Sequence, residues 1–325
     1  MTRSLRVVVC VLAWLCLPRP AMAADPQCSF VPSLTPGFGS VTSFVAQTTA
    51  QATSSSTVAS CQGALLNVLV ILGDAPYLRA TVGGSTNNYR LKNAAGDSIA
   101  YTISAAPNGQ YPITPGTAFN YYQQTLLNLL GLLGGTSGNL PMHFATTASG
   151  PLSAGTYTDS FTINWSWHIC NVGAVVCLGY ANGSGVANVT LTLEVTNACQ
   201  VTTAPNIDFG SAPVASSFDP VSNAIGVLCT KGLVTYSVGL GSGAHAAGSG
   251  RRQMANGGAR LQYDLFKATD NTVWGASGGT VWTNTVAASG VSAQTFAYEA
   301  RVYTDQTTPA VGDYADGGGG LVGVD

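Results

Sequence analysis

The chain has 325 residues, only 8% of them charged, and a formal net charge of −2, where globular proteins usually carry about 25% charged residues. It has no basic face, which excludes nucleic acid as a partner; Gly, Ser, Thr and Asn fill the surface instead. Arg3 and Arg6, the apolar run from Val7 to Leu17 and the small-residue site Ala21-Met22-Ala23 form a secretory signal over residues 1–23. That run is shorter than the ~20 residues a membrane-spanning helix needs, and no later stretch reaches that length, so the mature chain is expected to be exported and soluble.

Eight cysteines are present and Cys10 and Cys16 fall within the signal, leaving 8 − 2 = 6. An even number in an oxidising compartment predicts disulfides, with several pairings open. A zinc site is the rival, but a Cys-x6-Cys pair with three ill-spaced histidines does not suit one.

The chain repeats itself. Cys28 precedes Phe38-Gly39-Ser40 by ten residues, and Cys199 precedes Phe209-Gly210-Ser211 by the same interval. Each copy has a second cysteine, Cys61 or Cys229, and each ends on Gly-x-Tyr-x-Asp, at 155–159 and 312–316. Arg90 stands eleven residues before Tyr101, as Arg252 does before Tyr263. The repeat favours the pairs Cys28–Cys61 and Cys199–Cys229, and leaves Cys170–Cys177 as the third. It also predicts two homologous domains, 24–197 and 198–325, joined with almost no linker.

Apolar residues alternate with period two in short runs: Ile99, Tyr101, Ile103; Phe161, Ile163, Trp165, Trp167; Val189, Leu191, Leu193, Val195; and Leu261, Tyr263, Leu265. Turn clusters separate the runs, the pattern of an antiparallel sandwich. The best helical candidate, residues 121–133, contains Gly131 and is flanked by glycines, which argues for a loop.

The two Cys-x9-Phe-Gly motifs, the second cysteines, the arginine before an alternating strand and the closing Gly-x-Tyr-x-Asp resemble the spore coat protein U domain. That family builds secreted subunits of Csu-type archaic chaperone–usher pili, and a two-domain member looks like the tip adhesin. The resemblance implies an all-β fold of two tandem immunoglobulin-like (pilin-type) sandwiches, the second lacking its final strand. A missing strand exposes core and unpaired edges. In the family a periplasmic pilus chaperone and then an adjacent subunit fill the gap by strand donation, and assembly runs through an outer-membrane usher to the cell surface.

Two features fit a place at the pilus tip. Only residues 24–27 separate the signal from the first cysteine, too few for a donor strand. The first copy carries its own final strand, residues 188–196, whereas the second has no counterpart and is expected to accept a strand. After Asp316, where the first copy continues as a strand, the chain reads Gly-Gly-Gly-Gly-Leu-Val-Gly-Val-Asp, and glycines make a poor strand.

Three apolar segments of the first copy are candidate binding loops for hydrophobic surfaces: Leu126, Leu127, Leu129, Leu130, Leu132 and Leu133; Val172, Val175, Val176 and Leu178 between Cys170 and Tyr180; and Leu66, Val68 and Leu69. The stretch 65–72 reads equally well as a buried strand. An apolar patch of this kind marks an interaction site when exposed. Among other classes, an enzyme finds only a chance Gly-x-Ser-x-Gly at 275–279, isolated histidines and no metal-ligand or cofactor motif. A carbohydrate-binding lectin would use Trp165, Trp167 and Tyr180, and a structural pilus or spore-coat subunit is the third alternative.

Overall fold

The computed structural model describes residues 28–61, 74–122, 137–172, 177, 179–246, 248, 250–317 and 320–323. The first half runs β1 (Cys28–Ser29), β2 (Ser33–Leu34), β3 (Gly37–Thr42), helix α1 (Ser43–Thr48), β4 (Ala52–Cys61), β5 (Tyr77–Gly83) and β6 (Arg90–Lys92). It continues through β7 (Ser98–Ser104), β8 (Ala118–Asn120), β9 (Ser137–Thr146), β10 (Gly155–Val172) and β11 (Gly179–Thr196). These strands form one curled sheet in the order β1-β4-β9-β7-β6-β10-β11-β2, with β3 also on β11, β5 on β10 and β8 on β5.

The longest elements are β10 and β11, 18 residues each. They pair antiparallel from Gly155↔Val195 to Val172↔Gly179, a span of about 55 Å at ~3.3 Å per residue. Period-two alternation sends Tyr157, Phe161, Ile163, Trp165 and Trp167 of β10 inward against Val189, Leu191, Leu193 and Val195 of β11, and all are buried. The outward positions carry Thr, Ser and Asn.

Two elements leave little trace in the sequence. Strand β4, Ala-Thr-Ser-Ser-Ser-Thr-Val-Ala-Ser-Cys, has no apolar alternation and is held by its ladder to β9, from Ala52↔Ala145 to Ser60↔Ser137. Helix α1 is six residues long, too short to display a 3.6-residue period; Val45 N donates to the Thr42 side chain at its N-cap, and Ser43 and Ala46 are buried.

The second half comprises β12 (Cys199–Thr203), β13 (Val221–Cys229), β14 (Tyr236–Leu240), β15 (Arg252–Asn256), β16 (Ala259–Lys267), β17 (Trp282–Asn284), β18 (Gln294–Val302) and β19 (Gly320–Gly323). A five-stranded sheet, β12-β13-β18-β16-β15, and a three-stranded sheet, β17-β14-β19, enclose a separate core built around Trp274, Phe296, Tyr298 and Tyr236. The fold is all-β, two tandem pilin-type sandwiches.

The glycine-rich end departs from expectation. Residues 320–323 do form a strand, β19, which pairs antiparallel with β14 from Leu240↔Gly320 to Ser237↔Gly323. Backbone pairing needs no side chain, so glycine weakens a strand without forbidding it. The strand is far shorter than its counterpart β10.

Among the cysteines, Cys170 bonds Cys177 and Cys199 bonds Cys229. Cys28 is disulfide-bonded and stands opposite Cys61 in the β1–β4 ladder.

Candidate functional site

The two halves serve as controls for each other. In the first, β11 lies between β10 (antiparallel) and β2 and β3 (parallel, Asn188↔Ser33 to Thr196↔Thr42). The second half reproduces the walls of that slot. Gly39 and Gly210 of the two Phe-Gly-Ser motifs are both left-handed, at φ 81° and 70°, a conformation glycine adopts without strain. Tyr157 donates to the Ser153 carbonyl at 2.7 Å, and Tyr314 to the Ala310 carbonyl at 2.5 Å. Tyr101 donates to Asp159 Oδ2 at 2.8 Å, as Tyr263 does to Asp316 Oδ2 at 2.9 Å. Burial, followed by the neighbouring carboxylate, pushes both phenols well above their ordinary pKa, so they remain donors.

What the second half lacks, among the described residues, is the strand between those walls. Residues 204–211 enter no strand ladder, and a groove runs between them and residues 312–316. One part, about 680 Å³, is lined by Ile207, Phe209, Ile225, Met254, Tyr263 and Tyr314. The other, about 470 Å³, is lined by Phe209, Phe218, Leu261, Val214 and Val311. Matched positions report the difference. Phe38, Tyr157 and Asp159 are buried, whereas Phe209, Tyr314 and Asp316 are only half-buried. The four inward side chains of β11 are each at most 1% exposed. At ~1.5–3 kcal/mol per buried side chain, a strand in the open slot would recover roughly 6–12 kcal/mol, an upper bound because unfolded chains are already partly compact.

The matched arginines differ in role. Arg252 is buried, paired with Asp264 at 2.8 Å and donating to the carbonyls of Leu240, Gly241 and Trp274. Arg90 is exposed and bonds Ser98. The cause is register: Arg252 faces Tyr263, but Arg90 faces Ala100, one position before Tyr101, and one step turns a side chain to the other face.

The second feature is the far end of the first half, where β10 meets β11 at the Cys170–Cys177 disulfide. Ser60 pairs with Ser137, Tyr77 with His168, and Tyr121 N donates to the Leu78 carbonyl. Tyr180 Oη donates to the Asp74 carbonyl at 2.9 Å. The described residues that flank segments 62–73, 123–136 and 173–178 therefore lie at the same end of the first half. A stack of Arg79 over Tyr77, Tyr77 beside His168 and His168 on Tyr180 (4.0 Å between centroids) crosses the outer face there. Beneath it, Phe30 stacks on Trp165 at 4.9 Å and lies beside Trp167.

Of the candidate binding residues, Leu66, Val68, Leu69, Leu126, Leu127, Leu129, Leu130, Leu132, Leu133, Val175, Val176 and Leu178 lie outside the described residues. Val172 ends β10, and its side chain is also outside the description. Trp165 and Trp167 are core, 1% and 3% exposed, and cannot stack on a sugar. The Gly-x-Ser-x-Gly stretch is a 3-10 turn over Gly278–Thr280 leading into β17, not a strand-to-helix elbow. Phe209 belongs to the repeated Phe-Gly-Ser motif, but the sequence does not mark Ile207, Phe209, Phe218 or Met254 as the lining of a groove; the signal that could have found them is the second copy of that motif, which lacks a counterpart to β11.

Among known structures, the chain resembles one from the crystal structure of the CsuC–CsuE chaperone–tip adhesion subunit pre-assembly complex of the archaic Csu pili of Acinetobacter baumannii. The TM-score is 0.59 at 22% identity, over 91% of this chain and all of that one. Looser likenesses are to the P pilus rod subunit PapA (TM-score 0.30, 18% identity, 39% of this chain and 99% of that one) and to the CupB6 tip adhesin from Pseudomonas aeruginosa (0.31, 12%, 91% and 93%). No curated protein matches the chain. Residues 18–164 and 185–317 each match the Spore Coat Protein U domain, and with most of its length so matched, in two copies, the chain belongs to that family.

Proposed function

We propose that this protein is the tip subunit of a chaperone–usher pilus, an adhesin for hydrophobic or abiotic surfaces that supports biofilm formation. The observation that carries the reading is the asymmetry between the halves: a slot filled by β11 in the first and open in the second. In this reading residues 24–197 form a self-complete adhesin domain and residues 198–325 a pilin domain that accepts a strand. A periplasmic chaperone occupies the slot before assembly, the outer-membrane usher exchanges it, and the adjacent subunit's strand joins the protein to the fibre. The likeness to a chain of a chaperone–tip subunit complex supports this.

Adhesion is assigned to segments 62–73, 123–136 and 173–178, because their roots gather at the end of the first half opposite its junction with the second. Their leucines and valines need no specific receptor. Each contact buries part of a side chain worth ~1.5–3 kcal/mol when fully buried, and many pili on one cell multiply a weak contact. The test is adsorption of the purified protein to hydrophobic beads beside the variant Leu129→Asp/Leu132→Asp, with folding followed by thermal melting. The expected result is a folded variant that no longer adsorbs. A folded variant that adsorbs like the parent removes residues 123–136 from the binding surface.

A further inference from the structure

Only Asn197 and Ala198 separate β11 from β12, and neither end of this joint is left free. Ala198 N donates to Thr230 Oγ1 at 2.7 Å, and Thr230 N donates to the Ala198 carbonyl at 2.9 Å. The same Thr230 hydroxyl lies 2.7 Å from Ser43 Oγ, at the start of α1, and both residues are fully buried. A second contact involves Asp97, in the turn between β6 and β7. Its Oδ1 accepts from Lys231 Nζ at 2.5 Å, while its Oδ2 accepts from Ser153 N and Oγ. Backbone bridging between Ser153 and Lys231 runs alongside. The third contact is steric: a Cβ added at Gly290 would come within about 3 Å of Lys231 and Pro151, so the backbone there touches the first half directly.

We infer that these contacts lock the two sandwiches into a single rigid body. Three separate elements of the first half (the start of α1, the β6–β7 turn and the 151–153 loop) meet residues 230–232 and 290 of the second. On the second half the contacts converge on one continuous patch, Thr230, Lys231 and Gly290, and a patch gripped by three different elements resists the pivoting that a lone hydrogen bond would allow. Of the two linker residues, Ala198 has both backbone groups bonded to Thr230, which Ser43 holds in turn. A rigid joint fixes the direction of the 18-residue β10–β11 arm relative to the groove. If the groove is where the fibre attaches, load on the far end passes to the fibre without a swivel. The rigidity itself does not depend on that reading.

The test is backbone 15N relaxation on the full chain. The expected result is one rotational diffusion tensor fitting the amides of both halves. Two separate tensors in the parent protein would overturn the inference. The double variant Ser43→Ala/Lys231→Ala removes two of the three contacts, and each half should then tumble with its own, shorter correlation time while its amide spectrum stays dispersed. A folded double variant that still fits one tensor would show that these contacts do not make the joint rigid. A variant that fails to fold leaves the parent measurement to decide.

Discussion

Asp159, 1% exposed and without a cationic partner among the described residues, accepts hydrogen bonds from Ser85 Oγ, Thr86 Oγ1, Asn87 N, Tyr101 Oη and Ser160 N. Bonds to a charged acceptor contribute about 1.5–3 kcal/mol each, and buried donors stripped of their partner cost more than the bond is worth. Asp159→Ala is therefore expected to destabilise the first half by about 3–5 kcal/mol in urea unfolding. Asp316→Ala, at the half-buried equivalent with its two donors Tyr263 Oη and Ala244 N, should cost about 1–2 kcal/mol. Glycine supplies a second contrast. A Cβ on Gly183 would fall 2.2 Å from the Trp167 ring, whereas one on Gly185 would sit in ordinary contact with Phe30 and Trp167, at 3.6 and 3.7 Å. Gly183→Ala should cost about 2–3 kcal/mol by overpacking, and Gly185→Ala much less; equal melting temperatures for the two would contradict this packing.

Among the elements, the strands that alternate cleanly were legible: β7, β10, β11 and β16 place their apolar residues inward because one side of each faces core and the other water. The polar β4 and the six-residue α1 were not, since a backbone ladder and a capped single turn leave no periodic mark. The open groove was legible only as a difference between the copies, the second having no counterpart to β11, and the lining residues named above come from strands β13, β15 and β16 and from the loops before β13 and after β18, which only folding brings together. The β6–β7 turn makes its own prediction. Burial pushes Asp97 upward, but the hydrogen bonds from Lys231 and Ser153 and the Lys231 charge more than offset it, so its pKa lies below the ordinary 3.8. A carboxylate with a depressed folded pKa contributes stability above its unfolded pKa and loses it as pH falls through the folded value. The junction should accordingly weaken only as pH drops below about 4, and Lys231→Ala should flatten that acid limb in melting experiments. Lys231 is 43% exposed, so at neutral pH the pair should contribute under about 1 kcal/mol and the variant should melt near the parent.

For the molecule as a whole, one domain design is used twice with opposite outcomes. In the first copy the eighteen-residue β11 closes its own sheet; in the second, among the described residues, β19 is the last strand and Ile207, Phe209, Phe218 and Met254 stay half-covered. In the function proposed above, a finished sandwich at one end and an unfinished one at the other make the chain directional, with a free end and an attachment end, and the inferred rigid joint would hold the two in fixed relation. The most direct measurement is hydrogen–deuterium exchange of the full protein with and without a synthetic peptide of residues 188–196, whose four inward side chains already fill the equivalent slot. New protection is expected at residues 205–211 and 312–317, and none along β10 or β11. No added protection in the second half, or peptide-induced change in the first, would contradict it.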